Sequence, residues 1–410
     1  MKRVNNLYKK ICDLDVIMDM YDHAIRMNTK NKKKIQNFDN FYSCNIAKIK
    51  EMLIRKDYVP GRYNLFLIHE PKIRIIMSQE IEDKIVNHLV AKYFLVDVFD
   101  KSMSDRNCAT RIGKGTHYAL RLFKQDYNYY LNKYKKFYIL KLDISKYFYN
   151  LDHEIIKNII RHKIKDKNAL KLIDSIIDST DEKYINEEII RLKNIENNKI
   201  LNSNYNDKEK RLKEVEQLPL YKEGKGVCIG NMVSQVVATF YLNKLDKYIE
   251  EQLGIKAYAR YMDDFYCMHE DKEYLKNCLD KIKNFLLKYK LTLNRKTKIY
   301  SSNENVEFLG FMFSSKKKNI RMKLTNKTKR KFKEKMKAKN KELLNNKISF
   351  EQYRSIRDSY RGHLSYGNCN YLYDKYVNRP IKNKKMSNFA MSSTWNNKNC
   401  IYNGNYICYK

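Results

Sequence analysis

Apolar residues recur at helical spacing near the beginning of the chain. Leu7, Ile11 and Leu14 follow one another at intervals of three or four residues, which places their side chains on one face of an α-helix. The pattern continues towards Pro60, and this proline with the glycine after it is a helix-ending signal. Residues 1–60 are therefore predicted to form an N-terminal helical region.

The pattern then changes to that of β-strands. Residues 63–70 and 72–77 are rich in residue types that favour strands, and Pro71 between them favours a turn. Together they predict a β-hairpin. Lys72 and Arg74 lie two residues apart, so their side chains are expected on one face of the second strand, where they either bind an anion or are solvated.

Two further β-rich segments carry acidic residues at their ends. Residues 137–145 form an apolar run that reaches Asp143, and residues 258–266 place Asp263 and Asp264 between aromatic and apolar residues. The adjacent aspartates predict a tight turn between two short strands, which is either solvated or a site for Mg²⁺, a cation that prefers oxygen ligands. Two such strands side by side would hold two metal ions suited to an in-line phosphoryl displacement.

The remaining elements follow from periodicity, turn residues and composition. They are a helix at residues 81–98, a charged helical insertion at 154–217, a helix at 235–250, an amphipathic helix at 274–289, a basic helical region at 321–378 and a polar tail at 379–410. The later part of the insertion mixes Glu, Lys and Asn with few large apolar residues, so it is expected to be partly exposed.

The charge balance points to a polyanionic partner. The chain of 410 residues has 83 Lys and Arg against 47 Asp and Glu, a formal net charge of +36. An AT-rich genome would explain lysine in place of arginine but not the shortage of acidic residues. Aromatic residues make up 13% of the chain and can offer stacking faces to bases. The length suffices for two or three domains or one multi-lobed enzyme.

The cysteines indicate a reducing environment. There are nine, and no two form a Cys-x-x-Cys pair, which predicts free thiols and neither a zinc site nor a disulfide framework. No apolar run approaches the ~18 residues of a membrane span, and the polar, basic start of the chain does not resemble a signal peptide. We therefore expect a cytoplasmic protein without a membrane partner.

Two motifs resemble those of reverse transcriptases. They are Tyr-Met-Asp-Asp at residues 261–264 and Leu-Asp-Ile-Ser-Lys-Tyr-Phe at residues 142–148. The resemblance implies an RNA-directed DNA polymerase with an α+β right-hand fold of fingers, antiparallel palm sheet and helical thumb. The implied divisions are the N-terminal helical region 1–60, fingers 61–136, palm 137–315 with its insertion at about 154–217, thumb 321–378 and tail 379–410.

The same resemblance implies roles for individual residues. Asp143, Asp263 and Asp264 would hold two Mg²⁺, or Mn²⁺ as a substitute, with the backbone carbonyl of Ile144 as a further ligand. Lys296 would be the general acid for the leaving pyrophosphate. The residues expected at the incoming nucleotide are Lys72, Arg74, Arg111, Phe148, Gly230, Ser234 and Gln235, and those of the primer grip are Phe308, Leu309 and Gly310. The aromatic ring of Phe148 would exclude a 2′-hydroxyl.

One segment departs from the commonest form of the family. Most reverse transcriptases carry Gln-Gly and later Ser-Pro here, whereas this chain has Ile229 before Gly230 and Gln235 after Ser234. That form resembles bacterial, group II intron-like enzymes of the diversity-generating retroelement type, in which it goes with error-prone copying of adenines, and some defence-associated enzymes.

Three biological roles are compatible with these residues. The first, which we favour, is a retroelement enzyme that copies a template RNA into variable cDNA, with a small basic accessory protein as a candidate partner. The second is an antiviral enzyme that makes cDNA from a dedicated non-coding RNA. The third is a catalytically quiet RNA-binding scaffold, against which the intact aspartates argue. The expected partners are template or non-coding RNA, an RNA/DNA duplex and dNTPs, in an assembly of open oligomeric state.

Overall fold

The computed structural model describes residues 3–69, 72–316 and 319–378. The chain divides into two compact units, each assembled from several stretches. The first unit comprises Met1–Thr110, Asp143–Gly254 and Leu279–Lys296, and the second comprises Arg111–Leu142, Ile255–Cys278 and Thr297–Lys410. The predicted polar tail, residues 379–410, lies outside the described residues.

Helices and strands alternate along the described chain. The α-helices are α1 (Tyr8–Ile11), α2 (Leu14–Asp19), α3 (Lys32–Asp39), α4 (Tyr42–Arg55), α5 (Ile81–Leu89), α6 (Asp97–Phe99), α7 (Thr116–Lys133), α8 (Tyr147–Asn150), α9 (His153–Arg161), α10 (Lys167–Asp178), α11 (Lys183–Leu201), α12 (Lys208–Glu216), α13 (Met232–Tyr241), α14 (Asn243–Lys247), α15 (Lys272–Lys288), α16 (Asn326–Leu344), α17 (Phe350–Ser365) and α18 (Asn370–Tyr373). Short π-helical segments cover Met20–Arg26, Val90–Val96, Tyr248–Gln252 and Asp374–Asn378, and 3₁₀ turns cover Asp100–Ser102 and Ser179–Asp181.

The strands form three separate sheets. They are β1 (Asn64–Ile68), β2 (Arg74–Ser78), β3 (Tyr138–Asp143), β4 (Tyr258–Tyr261), β5 (Asp264–His269), β6 (Lys298–Ser301), β7 (Val306–Phe308), β8 (Phe311–Lys316) and β9 (Asn319–Leu324). The predicted mixture of helix and sheet is confirmed, while the hand-shaped arrangement stays a prediction. Among the described residues, no helix combines the length and the hydropathy needed to cross a membrane.

The N-terminal region is helical, as predicted. The side chain of Asp13 accepts hydrogen bonds from the backbone at the start of α2, and Asn31 does the same for α3, which satisfies backbone donors that a helix leaves open. Helix α4 ends at Lys56, whose φ of 60° is left-handed. The helical part therefore stops a few residues before Pro60.

The first predicted hairpin is present with shorter strands. β1 and β2 pair antiparallel, from Asn64 opposite Ser78 to Ile68 opposite Arg74. Because β2 begins at Arg74, Lys72 lies in the bend before the strand. The expectation that Lys72 and Arg74 share one face of a strand is therefore wrong.

The charged insertion packs on this hairpin through a hydrophobic core. The core contains Tyr63, Leu65, Ile75, Met77, Ile185, Ile189, Ile200, Val215, Leu218, Tyr221 and Cys228. Helical structure in the insertion is confirmed by α9 to α12. Its later part is partly exposed, as expected, but its packing on the hairpin was not predicted. Ile185 and Ile189 of α11 are one helical turn apart and fully buried, and each such side chain contributes about 1.5–3 kcal/mol.

The second unit contains a four-stranded and a three-stranded sheet. The four-stranded sheet has the order β4-β5-β3-β6, and the other has the order β7-β8-β9. The pairs β4–β5, β3–β6, β7–β8 and β8–β9 are antiparallel. Helix α7 joins the sheets, since its Phe123 ring lies 4.6 Å from Tyr266 and 4.3 Å from Phe313.

The basic region after residue 321 begins as a strand. Residues 319–324 form β9, so the prediction of helix from residue 321 is wrong at its start. Helix α16 follows, and the Thr325 side chain caps it by accepting from the Thr328 amide. Helix α17 begins with a capping box between Ser349 and Gln352.

Candidate active site

The two adjacent aspartates lie at the turn of the β4–β5 hairpin, as the sequence predicts. Tyr261 is paired with Asp264, which leaves Met262 and Asp263 as the loop. Met262 has a φ of 58°, a left-handed conformation that costs a residue with a side chain about 1–2 kcal/mol. The turn that carries Asp263 is therefore locally strained at Met262.

A buried arginine supports this turn. Arg260 is fully buried in β4, and its Nη1 donates a 3.0 Å hydrogen bond to the carbonyl oxygen of Met262. A charged donor at this carbonyl stabilises the turn, since a hydrogen bond from a charged group contributes about 1.5–3 kcal/mol. Sequence reasoning missed Arg260, although an arginine in an apolar strand signals a buried partner.

Asp264 is paired with a lysine of the same sheet. It begins β5 and forms an ion pair with Lys141 of β3. The Lys141 Nζ also lies 4.9 Å from the centre of the Phe308 ring, and both charged side chains are mostly buried. The Lys141 ammonium therefore already neutralises the Asp264 carboxylate. Sequence reasoning also missed Lys141. Its position two residues before Asp143, on the same face of a strand, could have indicated that its side chain lies near the aspartates.

In the first unit, the backbone around Asp143 is held by residues 291–296. The Asn294 amide donates to the Asp143 carbonyl oxygen at 2.7 Å, and the Ser145 amide donates to the Thr292 carbonyl oxygen at 2.9 Å. Ile144 lies between these two bonds, opposite Leu293, and neither bond uses its own carbonyl. That geometry fits the predicted ligand role of the Ile144 carbonyl.

Lys296 belongs to the same supporting segment. Its side chain is exposed, and its backbone amide donates to the Asn294 side chain at 3.2 Å. The predicted general acid thus lies two residues from the group that fixes Asp143. Its ammonium is open to solvent, and its role as general acid stays a prediction.

The predicted nucleotide-binding residues Phe148 and Gly230 lie along one extended segment of the first unit. The Val227 amide donates to the Phe148 carbonyl oxygen at 2.8 Å, and the Met77 amide donates to the Ile229 carbonyl oxygen at 2.9 Å. Residues 227–230 therefore lie between α8 and β2. Phe148 is half-buried there, so part of its ring is accessible.

Gly230 is required by its contact with β2. Its φ is 131°, and an added Cβ would lie 2.8 Å from the Met77 carbonyl oxygen and 3.2 Å from Ile76. The resemblance placed Gly230 at the incoming nucleotide, which stays a prediction, since glycine lets another group approach the backbone closely. The close neighbour that the structure identifies is the second strand of the hairpin.

Arg74 adds a positive charge close to α8. Burial raises the pKa of Tyr149 to about 12, Cys228 adds to the increase and the positive charge of Arg74 opposes it. Arg74 therefore lies near Tyr149, the neighbour of Phe148 in α8. The Arg74 side chain is exposed and available to a ligand with negative charge.

Two further predicted nucleotide contacts, Ser234 and Gln235, lie at the start of α13. Ser234 is buried in the first turn of α13, where its amide donates to the capping Asn231 side chain at 3.0 Å. Gln235 follows it and is half-buried. The helix predicted at residues 235–250 in fact begins at Met232 and is interrupted after Tyr241. Ser234 is thus part of the buried start of α13, and its contact with the incoming nucleotide stays a prediction.

Arg111 begins the second unit in a glycine-containing turn. The Lys114 amide donates to the Arg111 carbonyl oxygen at 3.1 Å. Gly113 and Gly115 both have positive φ, and α7 starts directly after Gly115. Arg111 is half-buried. The predicted pattern of an arginine followed by a turn into a helix is therefore present.

The predicted primer grip is a β-hairpin of the second unit. Phe308 pairs with Phe311, and Leu309 and Gly310 form the loop with φ values of 47° and 83°, as in a type I′ turn. Phe308 is fully buried and stacks on Phe123 at 5.3 Å. Phe308 thus anchors the hairpin, and Leu309 with Gly310 is its accessible part.

The comparison with protein families identifies this chain. The family described as reverse transcriptase (RNA-dependent DNA polymerase) matches residues 68–313, a stretch that covers both aspartate motifs and more than half of the sequence. The chain therefore belongs to the reverse transcriptase family. The prediction of an RNA-directed DNA polymerase is confirmed at the level of the family.

Individual relatives are distant. The chain is 24% identical over 218 residues to "Nuclear intron maturase 1, mitochondrial" of Arabidopsis thaliana, which covers 47% of this chain and 29% of that protein. The chain thus matches less than a third of the relative's length. Among solved structures, apo telomerase from Candida tropicalis, truncated from its C-terminal domain, is similar with 16% identity and a TM-score of 0.43, covering 64% of this chain and 55% of that one.

Proposed function

We propose that this protein copies a template RNA into cDNA. The observation that carries the proposal is the strained turn that presents Asp263 at the end of β4, within a chain that belongs to the reverse transcriptase family. Strand β3, which lies next to β5 in the same sheet, ends at Asp143. Carboxylates at the ends of adjacent strands are suited to phosphoryl transfer with metal ions.

The donors in this proposal fit Mg²⁺. Asp143, Asp263 and Asp264 offer carboxylate oxygens and Ile144 offers a carbonyl oxygen, which are the ligands of hard divalent cations. Two bound ions, Mg²⁺ or Mn²⁺, would neutralise the phosphates and favour ionisation of the primer 3′-hydroxyl. Lys141 would give up or share its contact with Asp264 when the ions bind.

The remaining roles are positional. Lys72, Arg74 and Arg111 would bind the triphosphate, and Phe148 would exclude a 2′-hydroxyl from the sugar site. Lys296 would donate a proton to the leaving pyrophosphate. The further expected contacts are Gly230, Ser234 and Gln235 at the template–nucleotide pair and Leu309 and Gly310 at the primer. In this proposal residues 61–136, 137–315 and 321–378 act as fingers, palm and thumb.

For the biological role, we favour a diversity-generating retroelement enzyme. The support is the sequence from Ile229 to Gln235, together with a net charge of +36 that suits an RNA partner. An antiviral enzyme with a dedicated non-coding RNA has the same support. Sequencing the RNA and cDNA that copurify from the host separates the two, since substitutions at template adenines favour the first and faithful or repetitive cDNA the second.

The catalytic proposal is tested by primer extension on an RNA template with dNTPs and Mg²⁺. Asp263→Ala is expected to lower the rate by about 10³-fold or more, because it removes a ligand to charge-neutralising ions, and to leave RNA affinity in a filter-binding assay nearly unchanged. Asp280→Ala is the matched control, since this aspartate is exposed on α15 and pairs with Lys283 at 3.0 Å. Normal synthesis by Asp263→Ala would refute the assignment.

A further inference from the structure

A histidine and two aspartates meet in the first unit, and none of them has a role in the proposed polymerase site. His153 begins α9, Asp178 ends α10 and Asp181 ends the 3₁₀ turn that follows. The His153 Nδ1 lies 3.2 Å from Oδ1 of Asp178 and 3.4 Å from Oδ2 of Asp181. The three ligand atoms lie within 4.8 Å of one another.

The other nitrogen of His153 carries one of the ring's protons. Nε2 lies 2.7 Å from the Gly226 carbonyl oxygen, and because a carbonyl only accepts, Nε2 carries a proton. In the neutral ring, Nδ1 then presents a lone pair to two carboxylate oxygens. Nδ1 has no hydrogen-bond partner within the described chain, and His153 is only 2% exposed. Nδ1 of His153 and one carboxylate oxygen each of Asp178 and Asp181 thus face one another as electron-pair donors. Such a group is stabilised by a cation bound between them.

The distances suit a small divalent metal ion. With bonds of about 2.0–2.1 Å, the ligands of a tetrahedral zinc ion lie about 3.3–3.4 Å apart, close to the two separations measured from Nδ1. A metal-bound histidine also typically donates its second N–H to a backbone carbonyl, as His153 does to Gly226. The side chains of Asp178 and Asp181 are 42% and 27% exposed, which leaves access for the ion and for water as a further ligand.

The surrounding charges leave a negative excess. Lys157 binds Asp178 at 2.8 Å and approaches Glu154 at 3.7 Å, and Arg161 binds Asp174 at 2.6 Å. With Asp181, the cluster therefore has more carboxylates than cationic side chains. A divalent ion would neutralise that excess, and Lys157 is the side chain that competes with it for Asp178.

We propose that His153, Asp178 and Asp181 bind a structural divalent cation, for which Zn²⁺ is the best match to this set of nitrogen and carboxylate ligands. The site ties α9 and α10 to Gly226, whose carbonyl oxygen also accepts a 2.8 Å hydrogen bond from Thr180. Gly226 precedes Val227, whose amide donates a hydrogen bond to the Phe148 carbonyl oxygen. The ion thus stabilises the segment beside the proposed sugar site without contacting substrate.

The test measures zinc in the full chain. Metal-free protein is mixed with a small excess of Zn²⁺ in buffer that contains Mg²⁺, gel-filtered and analysed for metal content and melting temperature. The wild type is expected to retain one zinc ion more than Asp181→Asn, and zinc is expected to raise its melting temperature by a few degrees. Asp280→Asn is the control and is expected to behave as the wild type, because this exposed aspartate of α15 belongs to neither site. Zinc bound by cysteines would contribute equally to all variants.

A second variant covers the case in which Asp181→Asn does not fold. Lys157→Met removes the competing ammonium and is expected to raise zinc affinity about tenfold. If a proton on His153 fills the place instead, the wild type, Asp181→Asn and Lys157→Met will bind equal amounts of zinc and their melting temperatures will not respond to it. That result would overturn the proposal, whatever the polymerase activity of the chain.

Discussion

Two hairpins of the second unit turn through loops of two residues, and they reach that geometry differently. In β7–β8, Leu309 and Gly310 both have positive φ and the second position is a glycine. In β4–β5, Met262 adopts positive φ and a buried Arg260 holds its carbonyl. The first loop depends mainly on local sequence, whereas the second depends on a buried charge. Strain held by surrounding structure is frequent at functional sites.

From the comparison of the two loops we expect the largest loss of stability and of cDNA synthesis when Arg260 is replaced. Arg260→Met removes the donor to Met262 and is expected to destabilise the protein by about 2–3 kcal/mol, with a loss of cDNA synthesis of about 100-fold because Asp263 is no longer held in place. Urea unfolding and primer extension measure the two effects. A variant with wild-type synthesis would mean that the turn holds its shape without Arg260.

A smaller effect is expected at Lys141. Lys141→Met removes the ammonium beside Asp264 and should lower the Mg²⁺ concentration for half-maximal synthesis several-fold, since a cation no longer competes for the carboxylate. Lys141→Arg keeps the charge and serves as the control. An unchanged Mg²⁺ dependence in Lys141→Met would show that the lysine and the metal ions do not share this carboxylate.

The smallest effect is expected in the β7–β8 loop. Gly310→Ala places a Cβ at a φ of 83° and should cost about 1–2 kcal/mol of stability, whereas no atom of the described residues lies close enough to clash with the added methyl group. The synthesis rate per folded molecule should change little on short primers. A stability loss as large as that of Arg260→Met would contradict the contrast between the two loops.

Local patterns predicted the elements better than their contacts. The strand ends at Asp143 and Asp264 followed from β-favouring residues, and the turn followed from the adjacent aspartates. Arg260 and Lys141 were not singled out, because an alternating charge in a short strand is usually solvated. Their buried partners come from other strand positions and the turn, which a single-sequence pattern does not specify.

The insertion shows the same limit on a larger scale. Its high charge predicted a partly exposed insertion, which the structure bears out, but not that Ile185 and Ile189 of α11 pack against the hairpin. The cluster around His153 was also missed, because its members belong to different helices of a segment that is charged throughout. In both cases the decisive contacts are distant along the chain, where helical periodicity carries no information.

The shared core of hairpin and insertion has a consequence for synthesis of the chain on the ribosome. Leu65, Ile75 and Met77 emerge first, and their partners on α11 follow roughly 110 residues later, which takes about 5–20 s at ordinary elongation rates. During that interval the nascent hairpin has an uncovered apolar face. The first unit therefore cannot complete this core until Cys228 of the 410 residues has emerged, and chaperone binding to the nascent chain should peak before α11 leaves the exit tunnel.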